Sequence, residues 1–147
     1  MRSLPDLERA LESITAGADP QTSGDALLGI GEEVLEHWIR ARGDEPTNDR
    51  REGFRLLALH RQGAKNDPSF NACRETCREL AYFYNLVTMQ PDHTETTDRV
   101  EMMKMICSHV YLFISGKMQV AELGDFCCSS KPIRRTANLD YEETKEA

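Results

Sequence analysis

One segment near the C-terminal third of the chain limits the possible folds more than any other. Residues 97–116, TDRVEMMKMICSHVYLFISG, form the most apolar stretch of the sequence. Their apolar side chains recur at helical spacing and extend around most of the circumference of an α-helix. Such a helix is either covered by its neighbours at the centre of a bundle or also contacts a partner chain. Since Arg99, Glu101 and Lys104 interrupt it, it is not predicted to cross a membrane.

Length and charge favour a single soluble domain. The chain has 147 residues, which is enough to bury a core without disulfides or metals. Its formal net charge of -7 argues against general nucleic-acid binding, which needs a positive field. The first residues, MRSLPDLERALESI, contain no apolar signal sequence, so we expect a cytoplasmic protein with reduced thiols.

Two amphipathic helices are predicted in the N-terminal third. The first is capped by Ser3 and is followed by a loop at residues 16–24, whose composition is AGADPQTSG. The second covers residues 25–42 and stops at Gly43. Gly29 and Gly31 lie within it, and the GIG triplet they form indicates close helix packing rather than a phosphate-binding loop, because no strand precedes it and no Gly-Lys-Ser/Thr follows.

Three more helices complete the predicted fold. The third is capped by Thr47 or Asp49 and ends near Gln62, the fourth begins at Asp67-Pro68 and ends near Met89, and the fifth is ended by Gly116. The sequence therefore predicts an all-α protein, a compact bundle of four to five helices with a buried C-terminal-third helix. The domain is assigned to residues 1–132 and a mobile C-terminal tail to residues 133–147.

The cysteines form the one constellation with possible chemistry. Cys73 and Cys77 are four residues apart on the fourth helix, so both thiols lie on one face. If the segment after the fifth helix folds back, Cys127 and Cys128 would join them in a thiolate site for zinc or an iron-sulfur cluster. Lys131 and the arginines that follow would also favour thiolate at that pair. The alternative is that Cys73, Cys77 and Cys107 are small apolar residues of the core.

No catalytic pattern accompanies these cysteines. The chain has no Glu-x-x-His pair of the di-iron bundles, no HExxH and no GxSxG motif, so an enzyme is not the expected class. Arg50, Arg51, Arg55, Arg61 and Lys65 make the third helix locally basic, either as a solvated face or as a patch for an acidic partner.

We therefore expect a small cytosolic helical binding protein, regulatory or accessory, that acts through contact with a protein partner or as a homodimer. Met102, Met103 and Met105 either pack in the core or line an adaptable groove for a partner helix. The alternative expectation is a thiol-based metal, iron-sulfur or redox-sensor protein that uses the C-terminal cysteine pair. Neither expectation involves nucleic acid or a membrane.

Overall fold

A computed structural model describes residues 1–121 of the chain and confirms the all-α prediction. Five α-helices follow one another, with a single 3-10 turn before the fourth, and no named strand occurs within the described residues. Among these helices, none is both long and apolar enough to cross a membrane. The predicted tail at residues 133–147 lies outside the described residues. The helices are α1 (Leu4–Ser13), α2 (Pro20–Ala41), α3 (Arg55–Ala64), α4 (Asn71–Met89) and α5 (Thr96–Val120), with the 3-10 turn at Pro68–Phe70.

Side-chain caps explain where the first two helices begin. The Ser3 hydroxyl accepts a hydrogen bond from the Asp6 amide at 3.2 Å, as the sequence predicts. The prediction of a loop at residues 16–24 is confirmed for residues 16–19 and wrong for residues 20–24, because α2 begins at Pro20. The Asp19 carboxylate accepts a hydrogen bond from the Thr22 amide at 2.9 Å, and Pro20 occupies the first turn, where its missing N–H is not needed.

The third helix begins later than predicted, at Arg55. Thr47 does not cap it, since its hydroxyl accepts a hydrogen bond from the Asp49 amide at 3.0 Å within a turn. The side chain of Gln62 fastens this loop to α3: its amide oxygen accepts from the Thr47 amide, and its amide nitrogen donates to the Glu45 carbonyl, both at 2.8 Å. Gln62 of α3 thus anchors the loop that precedes this helix.

Gly116 does not end the fifth helix, which continues to Val120. A glycine inside a helix costs about 1 kcal/mol relative to alanine, and tertiary packing around it can offset that cost. Beyond Gly116, Met118 is 1% exposed and so adds a buried apolar contact. Lys117 donates to the Ser69 hydroxyl at 2.9 Å and ties the last turn of α5 to the 3-10 turn that precedes α4. These contacts outweigh the helix-ending tendency of the glycine.

The helices enclose one hydrophobic core. Helix α2 contacts all four other helices, while α5 packs against α4, α2 and α1, with α4 as its main neighbour. The buried face of α5 confirms the predicted burial of the C-terminal-third helix. The other described helices do not cover its opposite side, however, where Met102, Met105 and Leu112 are exposed. The apolar residues of α5 that are buried are Val100, Met103, Ile106, Cys107, Val110, Ile114 and Met118.

The two glycines of the GIG triplet have different environments. A Cβ atom at Gly31 would lie 3.0 Å from Leu80 Cδ2 of α4 and 3.2 Å from Leu56 Cδ1 of α3. Nothing lies within 4 Å of a Cβ atom built at Gly29. The interpretation of the triplet as a site of close helix packing is therefore correct for Gly31 alone.

Candidate functional site

Cys73 and Cys77 lie together on the buried face of α4, as their spacing predicts. They are 3% and 0% exposed, and Cys107 from α5 is equally buried. All three are free thiols. The Cys107 thiol donates a hydrogen bond to the Leu27 carbonyl at 3.4 Å, in the core between α5 and α2. Within the described residues, these cysteines occupy the apolar positions that core packing predicts.

The neighbourhood of Cys73 makes it the more acidic thiol of the α4 pair. Interaction with the Cys77 thiol, and to a smaller extent with the His60 imidazole, lowers the pKa of Cys73 to about 6, although burial opposes the change. The same interaction raises the pKa of Cys77 well above its usual value, and burial adds to that effect. The sequence did not indicate His60 as a neighbour of these thiols, because it comes from α3 and only the packing of α3 on α4 brings it there.

The predicted metal site combined Cys73 and Cys77 with Cys127 and Cys128. Across residues 1–121, no group of three or more His, Cys, Asp or Glu side chains is arranged to hold a metal ion. Cys127 and Cys128 lie outside the described residues, so the four-cysteine site for zinc or an iron-sulfur cluster stays a prediction. Metal analysis of the purified full chain and of its C127S/C128S variant would test it.

A second candidate is the exposed side of α5. Met105 and Leu112 are 55% and 57% exposed, and Met102 is 42% exposed. His109 is also exposed, and Gly116 follows on the same side. Together these five residues, which we call the α5 stripe (Met102, Met105, His109, Leu112 and Gly116), lie almost opposite the buried face of the helix. Of the three methionines considered in the sequence, only Met103 is in the core.

The third candidate is a groove between α3 and the first turns of α4. It has a volume of about 710 Å³ and is lined by four arginines, Arg51, Arg61, Arg74 and Arg78. We call it the arginine groove. Leu57, His60 and Phe70 contribute buried side chains to its lining. The basic character of the α3 region is visible in the sequence, but Arg74 and Arg78 belong to α4, and no sequence spacing joins them to α3.

Comparison of the chain with protein-family models, with curated proteins and with solved structures found no match.

Proposed function

We propose that this protein is a small cytosolic helical binding protein, regulatory or accessory, that acts through protein–protein contact along the α5 stripe. The observation that carries the proposal is the exposure of Met102, Met105 and Leu112 on one side of the longest helix in the described part of the chain. Large apolar side chains aligned on one face of a helix are typical of a contact surface. The three free cysteines in the core are compatible with a reducing compartment.

The spacing of the α5 stripe supports a helix as the partner. Its positions alternate by three and four residues, which is the spacing of the a and d positions in a coiled coil. Among residues 1–121, nothing lies within 4 Å of the place where a Cβ of Gly116 would be, so a partner backbone can approach closely there. Burial of the exposed methionine and leucine surface would contribute roughly 25 cal/mol per Å² removed from water.

A second copy of this chain is the partner that best fits the pattern. In an antiparallel coiled-coil pair related by a two-fold axis, the residues at the a positions of one helix face the residues at the d positions of the other. The two chains therefore make identical contacts. That register places Met102 opposite Leu112, and Met105 opposite His109. Each chain then supplies both members of every contact, so one short stripe is sufficient for a closed dimer.

The test compares the full-length protein with two double variants. Met105→Glu with Leu112→Glu places charge on the α5 stripe, where desolvation of a carboxylate opposes association. Tyr82→Glu with Met89→Glu is the matched control, since these α4 residues are also exposed, at 60% and 76%, and also seven positions apart. Light scattering after size-exclusion chromatography, over a series of concentrations, should give a dimer mass for the wild type and the control and the 16.7 kDa monomer mass for the α5 variant.

Two outcomes would overturn the dimer. The first is a wild-type chain that stays at monomer mass at every concentration, and the second is an α5 double variant that associates as strongly as the wild type. Circular dichroism of each variant establishes that the fold is intact, which is expected because all four substituted side chains are exposed.

A further inference from the structure

The arginine groove carries more positive charge than its own carboxylates balance. Among residues 1–121, Arg78 pairs with Glu52 at 2.7 Å and Arg74 with Glu75 at 3.7 Å. Neither Arg51 nor Arg61 has an ion pair with a carboxylate of this part of the chain.

The two acidic residues of the lining already have cationic partners. Glu75 is paired with Arg74, and Asp67 lies 3.4 Å from the ammonium group of Lys117. Asp67 also accepts a hydrogen bond from the Ser69 amide at 2.9 Å, which holds its carboxylate at the start of the 3-10 turn. The groove therefore keeps two arginine charges that no carboxylate of residues 1–121 neutralises.

A tight turn fixes the position of Arg51. Its backbone exchanges two hydrogen bonds with Phe54, each 3.0 Å long. Glu52 and Gly53 between them have φ angles of 54° and 86°, the left-handed region that a glycine adopts without strain. These hydrogen bonds hold the backbone of Arg51 at the edge of the groove, and its side chain contributes to the lining.

One residue of the groove lining has a buried ring nitrogen without a hydrogen-bond partner in the described part of the chain. His60 lines the groove and is 4% exposed, and its Nε2 atom has no hydrogen-bond partner within the described residues. A buried polar atom left unpaired costs about 1–3 kcal/mol, so such atoms mark places where a ligand or water completes the structure.

We propose that the arginine groove binds a small organic phosphate, with the phosphate group between Arg51 and Arg61. A phosphate monoester carries nearly two negative charges at neutral pH, whereas a carboxylate carries one. Two charges match the two guanidinium groups that have no carboxylate partner within residues 1–121. The organic part lies over Leu57 and Phe70, next to His60. At about 710 Å³ the groove is in the size range of small-molecule sites and much larger than a bare phosphate needs.

The test uses the full-length protein labelled with ¹⁵N and ¹³C, titrated with inorganic phosphate and with glycerol 3-phosphate at constant ionic strength. Amide signals of residues 60–75 and the ring signals of His60 should shift and saturate, and glycerol 3-phosphate should bind more tightly than inorganic phosphate. Arg61→Gln and Arg51→Gln should each weaken binding by about tenfold or more, since each removes a charged hydrogen-bonding partner of the phosphate.

Arg9→Gln is the matched control, because Arg9 is an exposed arginine of α1 that pairs with Asp6 and does not line the groove. The Arg9→Gln protein should bind both phosphate probes with the affinity of the wild type. Shifts that rise linearly without saturation, or that sodium chloride reproduces, would mean screening of surface charge and would overturn the site. An Arg61→Gln protein that binds phosphate as tightly as the wild type would also overturn the site. Equal affinity for both probes would overturn the part of the proposal that concerns the organic group.

Discussion

At the scale of single residues, Gly31 shows how closely the helices approach. Leu80 and Leu56, which a Cβ atom at this position would meet, are both fully buried, so neither has open space into which it can move. Gly29, two positions earlier in the same helix, has no such neighbour. The two glycines therefore stand in one helix for different physical reasons.

We predict that alanine has opposite effects at the two glycines. Gly29→Ala should raise the free energy of unfolding by about 0.5–1 kcal/mol, because alanine favours the helix and meets nothing. Gly31→Ala should lower it by up to about 2 kcal/mol, since overpacking costs about 1–3 kcal/mol and the gain in helix propensity offsets about 1 kcal/mol of this. Urea denaturation of both variants beside the wild type measures the two differences. A Gly31→Ala protein as stable as Gly29→Ala would contradict the close approach.

Some residue-level contacts follow from sequence spacing and others do not. The four-residue separation of Cys73 and Cys77 was enough to place both thiols on one face of a helix. The His60 imidazole beside Cys73 depends on the packing of α3 against α4, which no local pattern encodes. The same is true of Arg61 and Arg74, which line one groove but belong to different helices.

At the scale of elements, Arg55 connects three parts of the chain at the start of α3. Its guanidinium group forms ion pairs with Glu36 and, at 3.4 Å, with Glu32, both of α2. It also donates a hydrogen bond to the Thr47 carbonyl at 2.9 Å. Burial raises the pKa of Glu32, an effect that the Arg55 charge opposes. Helix α3 lacks a side-chain cap, and this arginine instead holds its first turn against α2.

We predict that Arg55→Ala lowers the free energy of unfolding by about 1.5–3 kcal/mol, because Glu36 is left partly buried without its cation and the Thr47 carbonyl loses a donor. Arg40→Ala is the matched control. Arg40 pairs with the exposed Glu45 at 3.8 Å, and we expect a change below about 0.5 kcal/mol. Thermal and urea unfolding of the two variants provide the comparison, and equal losses would mean that Arg55 acts only as a surface residue.

The sequence predicts the helices correctly but places several of their boundaries incorrectly. The apolar periodicity of α4 is unambiguous, and its end near Met89 is confirmed. The start of α2 was missed because AGADPQTSG has the composition of a loop, although Asp19-Pro20 within it is a cap followed by a first-turn proline. The end of α5 was missed because its contacts beyond Gly116 are tertiary, and local propensity does not include them.

At the scale of the whole molecule, the buried Cys107 thiol makes the free energy of unfolding fall as the pH becomes alkaline. Burial raises the pKa of Cys107 to about 12, well above the value of a thiol in the unfolded chain. The unfolded state therefore loses this proton near pH 9, while the folded state keeps it. The contribution of Cys107 to stability is complete below about pH 9 and is lost as the pH rises from about 9 to about 12.

We predict that the wild type loses about 1.4 kcal/mol more stability than Cys107→Ala when the pH is raised from about 8 to about 10, because the variant has no thiol to ionise at this position. Urea denaturation of both proteins at the two pH values, in the presence of a reductant, gives the double difference. Equal losses in the two proteins would contradict the raised pKa of Cys107. Other ionisable groups titrate in both proteins and cancel in the comparison.

The attachment of α1 has a consequence for the order of assembly during translation. Lys104 of α5 donates a hydrogen bond to the carbonyl of Ile14, at the end of α1, across 90 residues at 2.6 Å. Helix α1 packs on both α2 and α5, so part of its docking surface is absent until α5 has been synthesised. A nascent chain arrested before α5 would lack the Lys104–Ile14 hydrogen bond that holds α1 to α5. Proteolysis of such stalled chains should therefore cut first at the end of α1.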